Sequence, residues 1–281
     1  VSRLLPSIDT PAPSVGFLGA GHTAVAVLSP HDLAASDPFV LITDDRIDLA
    51  PGAPIGEAHP HAGLETFTLV LEGSVLDHDE GALDAGDAAW MTAGRGVVHG
   101  EHLESRGPTR ILQVWIALPA HARGTKPSFR VIRGAPVRRE RGAEVRVYGG
   151  RSGDVVAPRA NVVPITALEV RLDPDASFEQ ALPDAYGGLV YVVDGSLDHA
   201  ATGQVAWLDR ETESSVVLRA GPRGARVVLL AGERLDEPIV QHGPFVAGSR
   251  AEIAEMFLRY RAGRFATVRE LATAPGVLLS R

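Results

Sequence analysis

The chain has 281 residues, 45% hydrophobic and 22% charged, with a formal net charge of −8 and no cysteine. This composition excludes a disordered, collagen-like or disulfide-framed chain, and domains of roughly 150 residues would make two of this length. The negative balance, with no run of Lys or Arg able to follow a phosphate backbone, argues against direct nucleic-acid binding, and any bound metal must use nitrogen and oxygen ligands.

The first thirty residues show no basic segment followed by a long apolar one. No apolar stretch approaches the roughly 20 residues that span a bilayer, so a cytoplasmic protein with no membrane contact is expected. The 30 Gly and 20 Pro are spread along the chain, which suits short strands joined by tight turns. In His59-Pro60-His61 the two imidazoles lie two residues apart, so an extended segment points both to one side. Pro60 is tolerated at the start or edge of a strand. Apolar runs follow at 67–71, 111–118, 189–193, 215–218 and 227–230, punctuated by Glu72-Gly73, Ala85-Gly86-Asp87 and Asp194-Gly195. They predict the strands of an all-β sandwich or barrel.

Between the first two runs, Gly94-Arg95-Gly96-Val97-Val98-His99-Gly100-Glu101 places His99 and Glu101 at the same period-two spacing. A lone His-x-His pair is as readily a surface accident as a metal site; a second pair brings the candidate ligands to four. His102 falls on the opposite face of a strand from both His99 and Glu101 and is left out. Three imidazoles and one carboxylate suit Fe(II), Mn, Co, Ni, Cu or Zn, and an octahedral ion so held keeps two positions for water, substrate or oxygen.

Further along, Pro119, Pro127, Pro136 and the charged stretch 138–141 mark a linker. The expected domains are 1–130, which binds the metal, and 131–281. An internal echo supports two similar barrels: Leu71-Glu72-Gly73-Ser74-Val75-Leu76-Asp77-His78 returns as Val193-Asp194-Gly195-Ser196-Leu197-Asp198-His199, about 122 residues on. The same offset carries His59, His61 and Glu65 onto Ala181, Pro183 and Gly187, none a plausible side-chain ligand, so the second barrel is expected to be metal-free. Ser249 and Glu252 form a capping box for one helix near the end, whose face of Ile253, Met256, Phe257 and Tyr260 would pack on a barrel.

Residues 56–73 resemble the first cupin motif and 86–99 the second. Within cupins, the segments 59–66, 90–101 and 237–246 resemble signatures of the pirin family. The resemblance implies a bicupin of two antiparallel jelly-roll barrels with a short C-terminal helix. It implies one iron in the N-terminal barrel, held at His59, His61, His99 and Glu101. Glu65 is then either a partner behind the ligands or a strand residue bonded locally. Ala62-Gly63-Leu64 departs from the Arg-Gly-Phe common in pirins, and 42–47 lacks the usual aromatic, so the pocket rim differs. His242 is expected to be structural, and Trp90 and Met91 to pack in the core before they line a pocket.

Bacterial pirins resemble quercetinases, which implies a metal-dependent dioxygenase acting with O2 on a flavonol-like aromatic, with Glu101 as the catalytic carboxylate. The second hypothesis is a redox-sensing regulatory protein whose partner is an enzyme or transcription factor; the third is a cupin binding protein or isomerase with another metal. A monomer is expected.

Overall fold

A strand with one face on a core alternates buried and exposed side chains, and Ser177–Leu182 does so at every position. Strands buried on both faces read instead as continuous apolar runs, as in Ala88–Thr92. The computed structural model describes residues 7–28, 33–49, 58–77, 81–100, 103–105, 107–158, 160–209 and 214–272. The five expected apolar runs fall in strands, apart from Leu118, which lies just past Thr109–Ala117, and the described residues divide into two units.

The histidine-bearing unit comprises the described residues of 13–35, 39–134 and 235–272. Its main sheet is antiparallel, in the order Ser128–Ile132, Ala88–Thr92, Leu64–Glu72, Thr109–Ala117, Phe39–Ile47, His22–Leu28, Pro13–Val15. Beside it, Ala58–His61 pairs antiparallel with Val97–Gly100, which pairs parallel with Ala266–Thr267. Leu64, Val70, Met91, Val97, Ile111 and Phe129 are among the buried side chains of its core.

The second unit comprises the described residues of 7–12, 36–38 and 135–234. Its sheet runs Ile8–Asp9, Val205–Trp207, Tyr186–Leu197, Ser214–Glu233, Ile165–Leu172, Ala143–Gly149, Val137–Glu140, and Ser177–Leu182 pairs with the start of the long Ser214–Glu233 strand. Val145, Val170, Phe178, Val192, Val216 and Leu229 fill its core. Position by position this repeats the first sheet: Leu64–Glu72 corresponds to Tyr186–Leu197, and Thr109–Ala117 to the later part of Ser214–Glu233. The short Ala58–His61 and Val97–Gly100 ladder corresponds to Ser177–Leu182 with the start of that long strand. Register confirms the match, since Arg110 stands opposite Glu72 and Arg226 opposite Asp194.

The division differs from a single break near residue 130. Residues 235–272, helix included, belong with the histidine-bearing unit, and Ile8–Asp9 completes the edge of the other sheet. The physical reason is local pairing: the Val246 N–H donates to the Ala62 carbonyl at 3.0 Å, and Phe245 bridges to Ala62. The helix Arg250–Arg261 begins as expected, with the Ser249 hydroxyl accepting from the Glu252 N–H, and it buries Ile253 and Met256 against Ala62, Phe245 and Ala247. A four-residue helix at Leu33–Ser36 was not anticipated. No described helix is long and apolar enough to cross a membrane.

Candidate metal centre

Three imidazoles meet on one face of the short ladder. His59 lies directly opposite His99 in the pairing, and His61 follows two residues on, so alternation directs all three to the same side. One nitrogen from each lies within 4.8 Å of the others, and the ring centroids are 4.4 to 5.1 Å apart. Pro60 costs the ladder little, because its strand is the edge of that sheet.

His61 has the best-defined chemistry of the three. It is 2% exposed, its ring takes a backbone hydrogen bond with Pro244, and its Nδ1 is buried with no hydrogen-bond partner. Nε2–H is therefore the donor to the Pro244 carbonyl, and the lone pair on Nδ1 is left available to an ion. Burial, then the neighbouring His99 and His59, hold its pKa well below the usual histidine value against the opposing effect of Pro244. The ring is thus neutral at pH 7, the form that binds metal. Leaving such a nitrogen unsatisfied costs roughly 1–3 kcal/mol, a cost a bound cation would remove. A divalent transition metal therefore fits these residues.

The chain reaches this arrangement through two close approaches. Gly63 has φ +76°, and a Cβ there would lie 1.8 Å from the Val246 carbonyl oxygen, so only glycine lets the 240–247 segment come against the His61 strand with Pro244 beside the ring. Just before the other strand, a Cβ on Gly96 would meet the Phe265 ring at 2.3 Å. Trp115, from the main sheet, stands edge-on to His61 with centroids 4.9 Å apart.

Of the residues singled out from the sequence, His59, His61 and His99 are brought together, and among the described residues they form the one such cluster. Glu101 and His102 lie outside the described residues. Glu65 is buried and accepts a hydrogen bond from its cross-strand neighbour Thr92 at 2.7 Å. Trp90 and Met91 are core residues, Trp90 stacked on Phe67 at 4.5 Å. His242 is exposed and packs edge-on to Phe257, away from the cluster. Trp115, Gly63 and the Pro244 carbonyl were missed as site residues. For the last there was a signal, since Pro244 lies in the segment 237–246 that carries the family resemblance.

The Pirin family model matches residues 23–116, and the model described as the pirin C-terminal cupin domain matches 167–266. The chain belongs to the pirin family. Pirin-1 of Arabidopsis thaliana is 34% identical over 257 residues, covering 86% of this chain and 88% of that one. A Pseudomonas aeruginosa protein, provisionally named a quercetin 2,3-dioxygenase, is 36% identical over 269 residues, 87% of this chain and 92% of that one. Among solved structures, a quercetin 2,3-dioxygenase from Acinetobacter baumannii superposes with a TM-score of 0.84 at 26% identity, covering 95% of this chain and all of that one. The fold is accordingly the all-β pirin bicupin.

Proposed function

We propose that this pirin is a mononuclear metal protein that, with O2, opens a flavonol-like aromatic, in the manner of a quercetin 2,3-dioxygenase. The reading rests on one observation above others: three imidazole nitrogens converge, and one of them, His61 Nδ1, is buried, neutral and without a hydrogen-bond partner. The names of the relatives supply the reaction class. His59, His61, His99 and Glu101 are proposed to hold one Fe(II), which when bound would supply Lewis acidity toward a substrate hydroxyl and redox chemistry with O2.

The protein's own groups then have separate tasks. Imidazole ligands contribute no charge, so Glu101 is proposed as the ligand that offsets the ion and as the base that takes the substrate's hydroxyl proton. Pro244 fixes the tautomer and rotation of His61, and Trp115 packs T-shaped against that ring. A cytoplasmic, monomeric protein completes the proposal.

The test is anaerobic reconstitution with Fe(II), followed by oxygen consumption on adding quercetin. Quercetin-dependent uptake in the wild type that disappears in His99→Ala supports the dioxygenase. A fully iron-loaded protein that consumes no oxygen refutes it and moves the assignment to a metal-dependent regulatory partner protein.

A further inference from the structure

Pro244 meets the His61 ring from the tip of a hairpin. Val240–His242 pairs antiparallel with Phe245–Ala247, and Gly243 and Pro244 make the turn between them. Two strands of three residues hold no shape by themselves, since an isolated hairpin is marginal in water. The placement of the Pro244 carbonyl on the ring therefore depends on what secures the hairpin's two ends.

One guanidinium secures both. Ahead of the hairpin, the Glu237 carboxylate accepts from Arg123 Nη2 at 3.2 Å; beyond it, the Glu252 carboxylate accepts from Nη1 at 3.0 Å. The Arg123 side chain is 10% exposed, and Gly248 leaves room for it, since a Cβ there would stand 2.8 Å from Nη1. The third donor, Nε, bonds the Leu118 carbonyl at 3.1 Å, and the Leu118 N–H donates at 3.0 Å to the carbonyl of Gly63, two residues after His61. Past Arg123, the Thr125 carbonyl accepts at 2.9 Å from the N–H of Arg95, on the approach to the His99 strand Val97–Gly100. The segment that carries Arg123 is thus fastened beside both histidine strands.

A residue needed only to anchor the helix Arg250–Arg261 would use Glu252 alone. Here Glu237 is held as well, by Nη2 and by the Ala120 N–H at 2.9 Å, so the chain on either side of Pro244 is tied to one short turn. The planar fork sets three partners in one geometry, which the point charge of a lysine does not. Building on the reading of the three histidines as a metal centre, we propose that Arg123 is a positioning residue for it. By clamping Glu237 and Glu252, it keeps the Pro244 carbonyl on Nε2–H of His61 and the Nδ1 lone pair in place for the ion.

The experiment is cobalt(II) titration of the full chain followed by absorbance, together with the imidazole nitrogen NMR spectrum of the metal-free protein. Arg123→Met keeps an aliphatic stem and removes all three donors. It is expected to bind cobalt about tenfold more weakly, the low end for losing a group that orients a ligand imidazole, and to show His61 in both neutral tautomers where the wild type shows one. Glu252→Gln releases one end while glutamine still completes the capping box, so it serves if Arg123→Met does not fold, and it is expected to move both readouts the same way by less. Glu169→Gln, which weakens the other barrel, is expected to match the wild type in both. Wild-type affinity or a single His61 tautomer in folded Arg123→Met, or in Glu252→Gln where that variant does not fold, overturns the proposal. An equal loss in Glu169→Gln also overturns it, because general stability would then account for the effect. A wild type that takes up no cobalt overturns instead the metal reading beneath it.

Discussion

Arg110 closes on Asp44 through both Nε and Nη2, at 2.9 and 2.6 Å, with both side chains buried inside the first sheet. Arg226 stands in the same relation to Glu169 in the second sheet, Nε to Oε1 at 2.6 Å. In each case the arginine lies on the strand next to the acid's, two residues from the acid's cross-strand partner, and a second acid, Glu72 or Asp194, stands opposite on the other side. Each barrel therefore carries an arginine–carboxylate pair at the corresponding place in its own sheet, with the carboxylate buried.

Breaking the first pair from the acid side is expected to be expensive. Asp44→Ala strands a guanidinium that also pairs with Glu72 at 3.1 Å, a side chain largely exposed and screened. A loss of about 3 kcal/mol is expected, the low end for an uncompensated buried charge. Replacing both partners, Asp44→Leu with Arg110→Met, removes the charge and should recover most of that loss. Urea unfolding of the three proteins measures both steps. A double variant no more stable than Asp44→Ala would mean that shape, and not charge compensation, holds this position.

Glu169 should make the second barrel sensitive to acid. Burial opposes ionisation, but Arg226 and Arg171, the hydrogen bond from Arg226, and Arg146 outweigh it and hold the carboxyl below its usual pKa. Because the folded-state value lies below the unfolded one, the stabilisation is complete at neutral pH and drains away as pH falls below about 4.5. Glu169→Gln should thus be less stable than wild type at pH 7 and converge with it in acid. Thermal melts from pH 7 to pH 3 would show this, and parallel curves across that range would refute it.

Much of this was legible in the residues. Period-two spacing put His59 and His61 on one face before any pairing was known, because alternation is a local property of a strand, and the family resemblance joined His99 to them. The echo of Gly73 in Gly195 marked the duplication for the same reason: an acidic-glycine turn is encoded within a few residues. The long-range relations were not legible. Nothing local in Phe245 or Pro244 says that they dock against Ala62 and His61, about 180 residues earlier, which is why the grouping of 235–272 with the histidine-bearing unit could not be read from the residues. Trp115 was hidden similarly, since it meets His61 only through the pairing of sheets.

Gly63 is where that docking is most exposed to test. Gly63→Ala puts a Cβ against the Val246 carbonyl and asks alanine to hold φ +76°, which by itself costs about 1–2 kcal/mol. The 240–247 segment must then move, and Pro244 with it. The expected result is a lowered melting temperature together with metal affinity weakened about 10–100-fold, the usual effect of losing the group that orients a ligand imidazole. Cobalt(II) titration followed by absorbance reads the second effect. Unchanged affinity in a destabilised variant would show that Pro244 does not orient His61.

Metal removal should separate the ligands from their surroundings. A metal that binds only the folded state stabilises it by about 2.7 kcal/mol when present at 100 times its dissociation constant, so chelation should lower the wild-type melting temperature. His59→Ala, His61→Ala and His99→Ala should each lack bound metal as purified and show no further change with chelator. Glu101→Gln retains an oxygen donor and loses the charge, so it is expected to keep part of its metal while losing the oxygen-consuming reaction. Elemental analysis beside melting curves, with and without chelator, tests all four variants. A histidine variant that keeps one equivalent of metal and the wild-type response to chelator would remove that residue from the ligand set. Glu101→Gln with full activity would remove its carboxylate from the proposed proton transfer.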